Sequence, residues 1–114
     1  MSAKTDFKFV DSQDCSVSFV SKTLEITYPT HCVSFQGYSL GGVHGIVSLE
    51  VSIFADMWEP LQGCKPIAID LNTNDKFFFI IPQSSCYAGK IRLRFDKELG
   101  STGSLNVACR TMPL

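Results

Sequence analysis

The side chains able to do chemistry are few and far apart. There are two histidines, His31 and His44, and five cysteines, Cys15, Cys32, Cys64, Cys86 and Cys109. His31 and Cys32 are adjacent, and adjacent residues of a strand point to opposite faces, so the pair is poorly placed to chelate one ion. The cysteines show no C-x-x-C pair and are odd in number, which fits neither a zinc site nor a disulfide framework. Cys15 and Cys109 share strand parity with apolar neighbours, as buried free thiols acting as small hydrophobes do. All five thiols are therefore expected to be reduced.

The carboxylates Glu25, Glu50, Asp56, Glu59, Asp70, Asp75, Asp96 and Glu98 are scattered over strands and turns. A glycosidase would need two of them facing across a cleft. No G-x-S-x-G elbow occurs. The glycine-rich stretch Gly37 to Gly45 lacks the Lys-Ser/Thr and the following helix of a phosphate cradle. Its glycines are expected to serve a long connection, by positive φ or by letting another backbone approach. The expectation is no catalytic residue, no metal, no cofactor and no enzyme.

A formal net charge of −1, from 10 Lys+Arg against 11 Asp+Glu, is the wrong balance for a protein built to hold phosphate backbones. Lys90, Arg92 and Arg94 form one basic stripe on a strand. It reads either as a solvated face with opposite charges across from it or as a contact for an acidic protein surface. No exposed aromatic alternates with these charges to stack bases, so nucleic acid is not the expected partner.

The elements that must position these residues are strands. Apolar residues alternate with polar ones at Phe7 and Phe9; at Cys15, Val17 and Phe19; at Leu24, Ile26 and Tyr28; and at Val33 and Phe35. The pattern continues through Val47, Leu49, Val51 and Ile53, then Ile67, Ile69 and Leu71, then Ile91, Leu93 and Phe95, and finally Leu105, Val107 and Cys109. Phe77 to Ile81 is apolar at every position and predicts a strand covered on both faces, stopped by Pro82. No stretch has a 3.6-residue period. About eight short strands separated by turns predict a single antiparallel β-sandwich or jelly roll over 1–114, with short flexible ends at about 1–5 and 111–114. The length, 114 residues, suits one domain with one core. Met1 to Asp6 has no apolar h-region, so a cytosol is the default place of synthesis.

Residues 47–61 end a strand in a tight turn, followed by Trp58, one residue, and Pro60-Leu61. This resembles the hairpin of small β-sandwich proteins of tailed bacteriophage particles, although those turns read Asp-Gly-x-x-Trp and this one is Ala55-Asp56-Met57-Trp58. The closing strands Lys90-Ile-Arg-Leu-Arg-Phe95 and Gly103-Ser-Leu-Asn-Val107 are similar to theirs as well. The resemblance implies a capsid decoration (cement) protein. Such a protein sits on the capsid surface of a virion assembled in the host cytoplasm and binds joints between major capsid protein subunits, as a dimer or trimer. A tail or baseplate adaptor belongs to the same class.

Candidate partner-binding residues are Tyr38, Leu40, Phe54, Met57 and Trp58, the stripe Lys90, Arg92 and Arg94, and the chain ends around Phe7 and Met112. Membranes and nucleic acid are not expected partners. Trp58 has three readings: a cap on its own core, an anchor in a partner, or, with Tyr38 or Tyr87, a stacking platform for a sugar. The last would make the chain a carbohydrate-binding module.

Overall fold

The computed structural model describes residues 5–25, 30–54, 56–61, 63–70, 76–81 and 89–113. Ten strands and no helix are found among them: β1 (Thr5–Asp14), β2 (Phe19–Val20), β3 (Leu24–Glu25), β4 (Thr30–Leu40), β5 (Gly45–Ser52), β6 (Glu59–Pro60), β7 (Ile67–Ile69), β8 (Lys76–Ile81), β9 (Lys90–Lys97) and β10 (Ser104–Pro113). They form two antiparallel sheets. One has the order β1-β10-β4-β8; in the other, β9 and β5 pair centrally, β2 and β3 flank β9, and β6 and β7 flank β5.

β2 and β3 line the same neighbour, and so do β6 and β7, so each pair counts as one interrupted strand. Eight strands remain, paired first with eighth, second with seventh, third with sixth and fourth with fifth. That is a long hairpin rolled up on itself, the jelly roll.

The inward faces are those the alternation predicts. Val47 and Leu49, then Ile91, Leu93 and Phe95, and then Leu105, Val107 and Cys109 are all buried. Phe9 and Phe35 meet with ring centroids 5.1 Å apart, and Phe19 lies 5.5 Å from Phe95. Leu61 donates its N–H to the Leu49 carbonyl at 3.0 Å and rejoins the core, as its place after Pro60 predicts.

The apolar pattern misleads in three places. Val17 is exposed rather than inward, because β1 stops at Asp14. The Asp14 carboxylate accepts the Ser16 N–H at 3.0 Å and the Ser16 hydroxyl at 2.8 Å, closing an Asx turn that carries the chain towards the other sheet. The same two bonds hold the Asp14 pKa below the ordinary carboxylate value. Ile53 is also exposed, because β5 ends one residue earlier, at Ser52.

The third case is β8, expected to be covered on both faces. Phe77, Phe79 and Ile81 are buried, but Phe78 and Ile80 face outward and are 51% and 58% exposed. Among the described residues β8 is an edge strand, and no described element lies over its outer face.

The Gly37–Gly45 stretch is not one long connection. β4 runs on to Leu40, and only 41–44 turn the chain into β5. Gly41 and Gly103 both have positive φ, 84° and 82°, and their turns touch: a Cβ on Gly41 would lie 3.0 Å from the Gly103 Cα, and one on Gly103 would strike the Leu40 carbonyl oxygen. The close backbone approach expected of these glycines is real.

Candidate interaction surfaces

The β5–β6 hairpin protrudes at the sheet end marked by Ser52 and Lys90, which are cross-strand neighbours. Met57 N–H donates to the Phe54 carbonyl at 3.2 Å and closes the turn. With β5 already ended, the side chains at the tip are largely left in solvent. Ile53 is 80% exposed, Phe54 71% and Met57 62%. Three large apolar residues this bare, side by side on one turn, form the kind of patch that marks a contact site.

Behind the tip lies a charged network on the outer face of the β5–β9 sheet. Glu50 faces outward, yet its side chain is only 11% exposed. It accepts from Arg92 Nε at 2.8 Å and from Arg94 Nη1 at 3.5 Å. Arg94 Nε in turn donates to Asp96 at 3.0 Å, and that bond, with the Asp96 charge, raises the Arg94 pKa further above its ordinary value. Glu50 and Arg92 are direct cross-strand neighbours. The Arg92 guanidinium carbon sits 4.1 Å from the centroid of the Trp58 ring. A cation over an aromatic face is attracted by the ring quadrupole, and the guanidinium keeps its Nε for Glu50 at the same time.

The predicted basic stripe is thus a strand face with opposite charges across from it. Trp58, half-buried, leans neither on its own core nor freely into solvent; it packs on Arg92. Lys90 is half-buried at the end of the same face, beside Ser52 and Glu25.

The structure therefore gathers Phe54, Met57, Trp58, Arg92, Arg94 and Lys90 on one sheet. Tyr38 and Leu40 are elsewhere. They are strand residues, not loop residues, on the outer face of the β1-β10-β4-β8 sheet, opposite Asn106 and Ser104. Tyr38 there borders a shallow groove with Lys8, Gln36, Lys76 and Asn106. Trp58 and Tyr38 stand on different sheets and share no sugar-stacking platform; Tyr87 lies outside the described residues. Phe7 is not a free contact. It is half-buried, 6.4 Å from Phe9, with the Lys22 ammonium 5.5 Å above its ring. The side chains of His31, Cys32 and Met112 are outside the described set.

Sequence reasoning missed Ile53, Phe78 and Ile80. The signal for the last two was present: an unbroken apolar run says that both faces of β8 are meant to be covered, without saying by what. Among the described residues, no three of His, Cys, Asp and Glu are grouped to hold a metal ion. Cys15, Cys64 and Cys109 are free thiols. Burial pushes the Cys15 pKa up to about 11 and that of Cys109 up to about 12, and it raises that of Cys64 as well.

No protein-family model and no curated protein matches the chain. Solved structures do. The SPBc2 prophage-derived protein YomS is similar with a TM-score of 0.67 and 14% identity, over 98% of this chain and 95% of that one. A chain from the structure of infectious bursal disease virus, Gx strain, is similar with a TM-score of 0.59 and 12% identity, over 98% of this chain but only 32% of that one. The present chain thus spans about a third of the viral one. At such identities the likeness is one of fold.

Proposed function

We propose that the chain is a virion structural protein of a bacteriophage, of the decoration type, and that it binds joints between neighbouring major capsid protein subunits. The observation that carries this reading is the bare apolar tip, Ile53, Phe54 and Met57, on a hairpin at one end of a jelly roll. The likeness of fold to a prophage-derived protein over nearly all of both chains supports it, as does the likeness to a chain of an infectious bursal disease virus structure. The role is binding rather than catalysis. The tip enters an apolar recess of the partner, while the Glu50–Arg92–Trp58 stack keeps the hairpin in its binding shape, so that little ordering is left to do on contact. Many such contacts repeated around a shell add up by avidity.

The test is co-sedimentation with particles purified from the virus or induced lysogen whose genome encodes the chain. The chain is expected in the particle fraction and, added back to particles stripped of it, is expected to rebind. A Phe54→Ser/Met57→Ser variant should melt as the native chain does and rebind at least about 30-fold more weakly, as for a hot spot of about 2 kcal/mol. Absence of the chain from purified particles, together with no rebinding, sinks the proposal.

A further inference from the structure

Natural sheets blunt their open edges with bulges, charges or short strands, because an exposed regular edge is a template for another strand. Three of the four edges here are blunted. β1 shifts register twice, between Lys8 and Val10 and between Val10 and Gln13, with Ser12 at φ 48° and Lys8 and Asp11 exposed. β2, along one edge of the second sheet, has two residues; β6 and β7, along the other, have two and three. β8 is different. It has six residues, an unbroken register against β4 from Ile81↔Val33 to Lys76↔Tyr38, and an outward apolar pair, Phe78 and Ile80.

We infer that β8 is where two copies of this chain join, antiparallel and edge to edge, with Phe78 of each copy against Ile80 of the other. Sequence and structure pull apart at this strand: the residue types ask for cover on both faces, and the described residues supply it on one. The cover is not a layer laid over the sheet. Inward of Phe78 and Ile80 along the same face come Gln36 and Ser34, then Ala108 and Arg110, the last bound to Asp6. An overlying partner would have to desolvate those polar groups. The apolar stripe lies only at the rim, and a neighbour in the plane of the sheet turns that rim into the middle of an eight-stranded sheet.

Self-complementarity selects a second copy as that neighbour. A twofold axis through the sheet pairs outward residues with outward residues. Centred on Phe79, it sets Phe78 opposite Ile80 and Phe77 opposite Ile81. Both Lys76 ammoniums then lie at the far ends of the joint, about 20 Å apart at about 3.3 Å per residue. Centred on Phe78, the axis would place Lys76 against Ile80. The Ile80 carbonyl oxygen now has the Cys64 thiol at 3.7 Å, a weak contact. Pairing exchanges it for a backbone amide. Six residues a side bury less than the roughly 1,200–2,000 Å² of a standard interface, so a reversible dimer with a dissociation constant on the order of micromolar is expected.

The inference rests on β8 alone and not on the virion reading. Its test is sedimentation equilibrium of the full chain over a concentration series. The native chain should show a monomer–dimer equilibrium. Phe78→Lys and Ile80→Lys, both at outward positions, should weaken it at least tenfold with the melting temperature unchanged, while Phe54→Ser should leave it alone. Should either lysine variant fail to fold, Phe78→Ser and Ile80→Ser replace them. In a Phe78→Cys/Ile80→Cys variant, oxidation should join position 78 of one copy to 80 of the other, found by peptide mapping. A native chain that stays monomeric throughout, lysine variants that dimerise like the native chain, or a 78-to-78 bridge would each overturn the proposal.

Discussion

Removing the Glu50 carboxylate should cost the fold far more than an ordinary strand-face charge. Glu50→Ala leaves Arg92 with its Nε partner gone, on a side chain only 20% exposed. Breaking a fully buried pair by deleting one partner costs about 3–5 kcal/mol, because the other charge is left uncompensated. Here Arg92 keeps the Trp58 ring and some solvent, which lowers the expected loss to about 2–3 kcal/mol. Arg94 adds little: its contact with Glu50 is long, 3.5 Å, it is 46% exposed, and it retains Asp96. For a chain of this length about 4 °C is lost per kcal/mol, so the melting temperature should fall by roughly 8–12 °C.

Urea titration of native, Glu50→Ala, Arg92→Ala and the double variant gives the coupling between the two. The double variant should lose less than the sum of the single losses, since it strands neither charge. A Glu50→Ala loss below about 0.5 kcal/mol, or strict additivity, would mean that the pair behaves like any exposed ion pair and that the account of Trp58 and Arg92 is wrong.

Trp58→Ala should cost only about 1–2 kcal/mol by thermal melting, since the ring gives up an arginine contact rather than a core site; a loss near the 3–5 kcal/mol of a buried tryptophan would place it in the core after all. In the native chain Cys15 and Cys109 should resist alkylation at pH 8 while Cys64 reacts, and mass spectrometry showing Cys15 or Cys109 modified first would contradict their burial. Both buried thiols have pKa values raised above the ordinary 9.0, so the unfolded chain loses these protons first; the stability they contribute is complete below pH 9 and is lost as pH rises through about 11 and 12, and a melting temperature that climbs over that window would refute the sign. Gly103→Ala should destabilise by more than about 1 kcal/mol, through both its φ of 82° and the Leu40 carbonyl, whereas Gly63→Ala, at φ 88° but with open space around it, should cost less; equal losses in denaturant titration would show that the crossing of the two turns does not matter.

The sequence by itself determined that this is an all-β chain, which side of the alternating strands faces in, and that Cys15 and Cys109 are core residues. Those properties are local: period-2 alternation is written in neighbouring residues, and a pleated strand obeys it wherever it lies. Alternation carries no information about where a strand stops, so Val17 and Ile53 keep the inward phase in the sequence and stand in solvent in the fold. Nor does it say what meets the outward face. Glu50 is sheltered because Arg92, 42 residues later in the chain, comes directly across from it, and Trp58 is held because the same arginine passes over its ring. The order of the strands, which leaves β8 at a rim with Phe78 and Ile80 bare, is likewise a matter of pairings distant in the chain. The apolar tip at Ile53, Phe54 and Met57 becomes a surface only once the two sheets have closed and left it outside, because the free energy of burying those side chains depends on what else the whole chain can bring to them.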